Sequence, residues 1–293
     1  MGCRDERIEW TWDGKTIALE QTSCGDGPIV LLLPALSSIS TRRELRPLQE
    51  QLGSSFHTVA IDWPGFGDLP RPKVKWRPEA YRAFLNHAAS SIKPAATIAA
   101  GHAGGYAVRQ AADVEGSLGA LSLVSPTWRG PLPTMAGKRL KLFQLLAQAI
   151  DLPILGKLLY RLNVNRPVIG MMARGHVYAN PVWLTPERFR EKLAVTQAPG
   201  ARYSSFRFVA GELDPFQERS EFLAAAARID TPLQVIYAAN APRKSKAEMV
   251  ALATLSHVQA TEVSVGKLSV YEEHPEVIAP IIAAFLRSNL KMG

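Results

Sequence analysis

The chain is poor in the features that announce a chemistry by themselves. It holds only two cysteines, Cys3 and Cys24, among 293 residues. That is too few for a disulfide framework or a cysteine metal cluster, and a reducing compartment is compatible with it. No pair of histidines stands at ligand spacing, and no P-loop or G-x-G-x-x-G turn is present, so neither a metal nor a nucleotide cofactor is expected. No apolar run approaches the roughly 20 residues a membrane span needs. The opening "MGCRDERIEWTWDGK" lacks the apolar core of a signal peptide, so a cytoplasmic protein is expected. Low-complexity stretches and internal repeats are also lacking. With 47% hydrophobic and 20% charged residues, the chain has the composition of a compact globular protein.

One composition feature is unevenly placed. Residues 128–200 carry eleven Lys and Arg against three Asp and Glu, which accounts for the whole formal net charge of +8. A solvated face explains such an excess, and so does attraction of an anionic lipid or ligand.

The hydrophobic pattern alternates. "PIVLLLPALSS" and "HTVAIDWPGFGDLPRP" read as strands closing on turns, with "STRRELRPLQEQL" between them as a helix that Ser40 or Thr41 caps. "PEAYRAFLNHAASSI", "AATIAAG", "GGYAVRQAADV" and "LGALSLVSP" continue as helix, strand, helix, strand. Alternation of this kind predicts a mostly parallel sheet flanked by helices, with ligands near the carboxyl ends of the strands. After Ser125 the alternation stops, and helices such as "GKRLKLFQLLAQAIDLPILGKLLYRLNV" follow; "PLQVIYAANAP" and "VQATEVSV" bring the strands back. The expected organisation is a core over 1–127, a helical cap insertion over 128–200, and the rest of the core over 201–293.

These landmarks, with a glycine-flanked turn "GHAGGYA" at the centre and "EEHPEVIAPIIAAFL" at the end, resemble the α/β-hydrolase fold superfamily. The resemblance implies a nucleophile, an acid and a histidine in that order, because the histidine accepts and returns the proton and the acid holds its tautomer. Placed in register with the family's motifs, the nucleophile falls on Ala103, the acid on Ala241 and the histidine on Leu268. None of these side chains performs its role, so the expected protein is a hydrolase-like pseudoenzyme. The oxyanion loop shows Pro34 and Ala35 where the family has a His-Gly pair, and backbone donors survive only outside the proline.

Pro34, Ala35, Leu36, His102, Gly104 and Trp128 are the candidate ligand-binding residues, with Trp63 and Phe66 as further candidates for an apolar cavity wall. Arg42 and Arg43 either reach an anion at the pocket mouth or begin a solvated helix. Asp214, in "GELDP", imitates an acid turn but is expected to be a surface turn or helix cap. The expected partner is a small apolar ligand, a lipid surface met through the basic cap, or a protein; nucleic acid is not expected. The alternative is a hydrolase or lyase-like enzyme using non-triad chemistry on a small apolar or ester-type substrate.

Overall fold

The computed structural model describes residues 2–290. Eight strands form one sheet: β1 (Arg4–Trp12), β2 (Lys15–Cys24), β3 (Ile29–Leu33), β4 (His57–Ile61), β5 (Ala96–Ala100), β6 (Ala120–Val124), β7 (Leu233–Ala238) and β8 (Val258–Val263). Their order is β1-β2-β4-β3-β5-β6-β7-β8. β2 runs antiparallel to β1 and β4, and every pairing from β4 to β8 is parallel. The central strands are apolar along their whole length because helices cover both faces; all of "ATIAA", "ALSLV" and "LQVIYA" is buried.

The alternating elements are where the hydrophobic pattern puts them. α1 (Arg46–Leu52) packs with α13 (Pro275–Asn289), while α3 (Ala103–Asp113) contacts α2 (Pro78–Ile92) and α10 (Arg219–Ala226), which in turn meets α11 (Arg243–Ala253). Thr41 caps the short 3-10 turn before α1 by accepting the Arg43 N–H. The antiparallel hairpin β1–β2 is a gain over the pattern reading. Its two-residue turn, Asp13-Gly14, has φ of 52° and 68°. Both central residues are left-handed, as a hairpin turn matched to the strand twist requires, and Asp-Gly suits that conformation. The hairpin register pairs Arg4 with Ser23, which brings Cys3 opposite Cys24, and the two form a disulfide. The two cysteines therefore have a structural role that their number alone does not reveal.

Between β6 and β7 lie α4 (Pro131–Ala136), α5 (Lys141–Ala149), α6 (Leu155–Asn163), α7 (Arg166–Met172), a π turn (Ala173–Val177), α8 (Pro186–Gln197), α9 (Arg202–Ala210) and α10. α9 is shared between layers: Phe206 and Ala210 join Ala147 and Ile150 in a separate apolar cluster, while Phe208 belongs to the main core. The helical insertion thus continues past residue 200, and its packing on the core runs through α9. Among the described residues, no helix is long and apolar enough to cross a membrane.

Candidate functional site

A cavity of about 530 Å³ lies between the carboxyl ends of the strands and the inserted helices. That volume is within the usual range for a small-molecule site. Its floor includes Ala35, Leu36, Gly101, His102 and Leu268, and its upper wall includes Leu132, Val164, Val168, Ile169 and Met172. Thus Ala35, Leu36, His102 and Leu268 meet at one cavity. Pro34, Gly104 and Trp128 do not line it. The Pro34 carbonyl accepts the Trp63 indole N–H at 2.9 Å, and a Cβ on Gly104 would stand 2.8 Å from Pro126. Trp128 is buried against Phe222 and donates its N–H to Glu248 at 3.1 Å. Trp63 and Phe66 likewise belong to the core, where Trp63 packs against Tyr81, Phe84 and Tyr106. Such buried aromatic pairs contribute roughly 0.5–1.5 kcal/mol each beyond their area burial.

The turn after β5 corrects the register of the central motif. β5 ends at Ala100, Gly101 has φ 53°, and α3 starts at Ala103. The sharp strand-to-helix turn that presents a nucleophile in this fold is therefore made by Gly101. Ala103 lies in the first turn of α3, is buried, and is absent from the cavity wall. Gly101 itself lines the cavity, and a Cβ there would stand 3.0 Å from the Ala35 methyl. Glycine spacing alone favours residue 103 because Gly101 and Gly105 flank it; the backbone conformation decides otherwise.

Ala241 is buried beside cavity residue Pro242, three residues past the end of β7. Leu268 follows Gly266, whose φ of 74° turns the chain after β8 toward the cavity. The backbone N–H of Ala35 donates to Glu44 Oε1 at 3.1 Å. Among the described residues, the N–H groups of Leu36 and His102 have no hydrogen-bond partner. Two backbone donors beside the turn at Gly101 suit a ligand oxygen.

His102 is a packed floor side chain. It meets Phe208 edge-on, with ring centroids 5.2 Å apart, and its Nε2 lies 3.5 Å from Asp214 Oδ1. Neither ring nitrogen is hydrogen-bonded. Burial lowers its pKa to about 4, so the imidazole is neutral near pH 7. Asp214 is also buried, contrary to a surface turn; it accepts the Gly130 N–H at 2.8 Å and the Arg139 guanidinium at 2.7 Å. Burial pushes its carboxyl up to about 7 despite Arg139. This carboxylate fastens the start of the insertion to the loop after α9. His176, isolated in the sequence, joins the cavity wall.

A pH consequence follows for stability. The unfolded imidazole takes a proton near pH 6.5, and the folded one only near pH 4. Stability from the neutral ring is thus complete above pH 6.5 and is lost as pH falls through 4, a difference of up to about 3 kcal/mol. Urea unfolding of the natural chain and His102→Leu at pH 7 and pH 4.5 checks this. The variant is expected to lose less stability on acidification.

Arg42 and Arg43 have separate fates. Arg42 is buried and bound to Asp62, Glu20 and Asp5, while exposed Arg43 pairs with Asp68 at 3.0 Å. Neither lines the cavity. A second polar cluster joins cap to core beside the oxyanion loop. Lys192 of α8 contacts Glu272 at 2.8 Å and Glu44 at 3.4 Å; Tyr271 donates to Glu44 at 2.8 Å, and Tyr178 donates to Glu272 at 2.7 Å. None of these pairings is visible as a sequence motif, because Glu44 and Tyr271 stand 227 residues apart.

Among the described residues, no group of three His, Cys, Asp or Glu side chains is placed to hold a metal ion.

The sequence profile of the Alpha/beta hydrolase family matches residues 30–281. No curated protein matches the chain. Solved structures with the same architecture include a serine hydrolase involved in carbazole degradation, at 12% identity with 97% of this chain and 100% of that one covered and a TM-score of 0.70. Cfl2 from Burkholderia cenocepacia is 19% identical, with 96% and 95% covered and a TM-score of 0.72. The haloalkane dehalogenase DatA from Agrobacterium tumefaciens is 16% identical, with 98% and 97% covered and a TM-score of 0.68. At such identities these likenesses concern the fold, whereas the profile covers most of the sequence, and the chain belongs to the alpha/beta hydrolase family.

Proposed function

We propose that the protein binds a small, mostly apolar ligand bearing an acceptor oxygen, and that it does so without the nucleophile, acid and histidine chemistry of its family. The observation that carries the reading is the cavity floor. Gly101 occupies the turn, Leu268 lines the wall, and Ala241 stands beside it. Hydrogen, methyl and isobutyl side chains neither attack a carbonyl nor relay a proton. The cavity walls are mostly apolar, with Arg129, Arg243 and Lys244 among the polar residues that share them, and the free N–H groups of Leu36 and His102 offer a place for one oxygen. Such a site holds a ligand by apolar burial and orients it by a few polar contacts.

The same two donors favour a second reading, an enzyme that stabilises an oxyanion and recruits water without a triad. Oxyanion stabilisation and binding alone leave measurable catalysis in triad-deficient enzymes. His102, neutral and buried, is the side chain this reading would need as a base.

The deciding experiment pairs turnover with occupancy. Purified protein is assayed against p-nitrophenyl esters and a fluorophosphonate, and separately titrated with an apolar fluorescent probe such as anilinonaphthalene sulfonate. Saturable probe binding, lost when Val168→Trp fills the cavity, with no turnover and no labelling, is the expected result. Turnover that follows the protein through purification and disappears in His102→Leu would replace the binding reading by the enzymatic one. In the triple variant Gly101→Ser, Ala241→Asp, Leu268→His, labelling by the fluorophosphonate is expected only when the hydroxyl is at 101. The parallel variant with Ala103→Ser instead is expected to stay unlabelled, because residue 103 faces away from the cavity. Gly101→Ala controls for the strain of a side chain at φ 53°.

A further inference from the structure

We propose that the exposed faces of α5 and α6 dock on an anionic lipid bilayer. Twelve large hydrophobic residues are prominently exposed among the described residues, and ten of them lie between Met135 and Val182. The densest group is Leu142 and Leu145 on α5, Leu152 and Ile154 in the connection, and Leu155, Leu158 and Leu162 on α6. Ile154 is 83% exposed. Leu155, Leu158 and Leu162 recur at helical spacing, so they share one stripe. The opposite side of each helix is already used against α9: Ala147 and Ile150 are buried with Phe206 and Ala210 of α9, and Phe143, Leu146, Leu159 and Tyr160 pack around them. The exposed stripe is therefore surplus to the protein's own core.

Charge selects the occupant. Lys138, Lys141, Lys157 and Arg161 are exposed on and around the same two helices, and among the described residues none has an ion-pair partner. The one acid from Pro131 to His176 is Asp151, and Arg207 holds it at 2.6 Å. Leucine side chains rimmed by unpaired cations match the two layers of an anionic membrane interface, acyl chains below and phosphates above. A second copy of the chain is a poorer fit. A two-fold contact would lay these cations against themselves. Two further exposed apolar residues of the insertion, Met135 of α4 and Met171 of α7, line the cavity.

The docking surface stands apart from what the cavity holds, so its test does not depend on the ligand. The full chain is floated with vesicles of phosphatidylcholine alone or with about one-third phosphatidylglycerol, at about 0.1 M and about 0.5 M salt. Binding to the anionic vesicles, weakened at high salt, is expected. Lys157→Glu with Arg161→Glu, and separately Leu158→Ser with Leu162→Ser, are each expected to weaken it about tenfold or more. All four side chains are exposed, so both variants should fold; circular dichroism and the unfolding midpoint verify that. Val168→Trp, which fills the cavity, is expected to leave vesicle binding intact. No flotation of the natural chain with anionic vesicles, or flotation indifferent to both double variants, overturns the proposal. So does a dimer in sedimentation that Leu158→Ser with Leu162→Ser dissolves, if vesicles do not bind: the surface would then belong to a second copy.

Discussion

Arg42→Ala is expected to destabilise the protein by about 3–5 kcal/mol, the cost of removing one partner from a buried ion pair. The guanidinium joins three separate pieces of chain. Its Nη1 donates to Asp62 Oδ2 at 3.0 Å and to Glu20 Oε2 at 2.9 Å, and its Nε donates to the Thr22 hydroxyl at 3.0 Å. The Arg42 N–H also donates to Asp62 Oδ1 at 2.7 Å. β1, β2, the end of β4 and the turn that follows the oxyanion loop are tied at this one side chain. Without it, Asp62 is left buried, and burial already pushes its carboxyl up to about 6 with Arg42 in place. Alanine removes the attraction and leaves the desolvation penalty. Pairing Arg42→Met with Asp62→Leu is expected to recover most of the loss, because Glu20 and Asp5 are partly exposed and water replaces their partner. Urea unfolding of the two single variants and the double variant measures the coupling. Equal losses in Arg42→Ala and the double variant would show that the arginine acts through packing.

Lys192→Ala is expected to cost about 3–5 kcal/mol at pH 8 and markedly less at pH 5.5. Lys192 is the only cation placed between Glu44 and Glu272 among the described residues. Burial opposes its charge, but Glu272, Tyr178 and Glu44 hold its pKa well above the ordinary lysine range. Burial pushes the Glu44 carboxyl up to about 7, against the attraction of Lys192. Its folded pKa is therefore above the unfolded value of 4.5. The stability that a neutral Glu44 retains is present below pH 4.5 and is lost as pH rises through 7. Removing the lysine at pH 8 strands two carboxylates together; at pH 5.5 Glu44 holds a proton and the repulsion is relieved. Unfolding midpoints of natural and variant protein from pH 5.5 to 8 supply the check, and a penalty independent of pH would remove Glu44 from the account. The cap should also loosen, since this cluster and the Glu273 contacts to the Ala179 and Asn180 N–H groups join α8 and the loop after the π turn to the short helix Val270–Glu273.

Much of the architecture is legible along the chain because parallel strands buried on both faces must be apolar throughout. "IVLLL", "ATIAA" and "LQVIYA" carry that pattern, and the leucines of α1 show their helical period. The hairpin at the start was also recoverable: Asp13-Gly14 lies between alternating residues, and two left-handed φ angles explain the pair. The disulfide needed the register of that hairpin. Asp214 reads as a turn in "GELDP" and is one, but its burial depends on Gly130 and Arg139, which lie 84 and 75 residues away.

The candidate site divides along the same line. Amino-acid order determined that the strands alternate with helices and that the positive charge collects in the insertion, and the family resemblance read along it is what points to Ala241 and Leu268 as the acid and histidine registers. These are matters of composition and local period, which a linear pattern carries. Only the tertiary structure decided which residue makes the turn after β5, since φ at Gly101 is a property of the strand, helix and oxyanion loop meeting there. It alone separated cavity wall from aromatic core, and turned Arg42 from a solvated side chain into the bracket of three strands. It also left the leucines of α5 and α6 facing outward, because one side of each helix already has α9 to pack against.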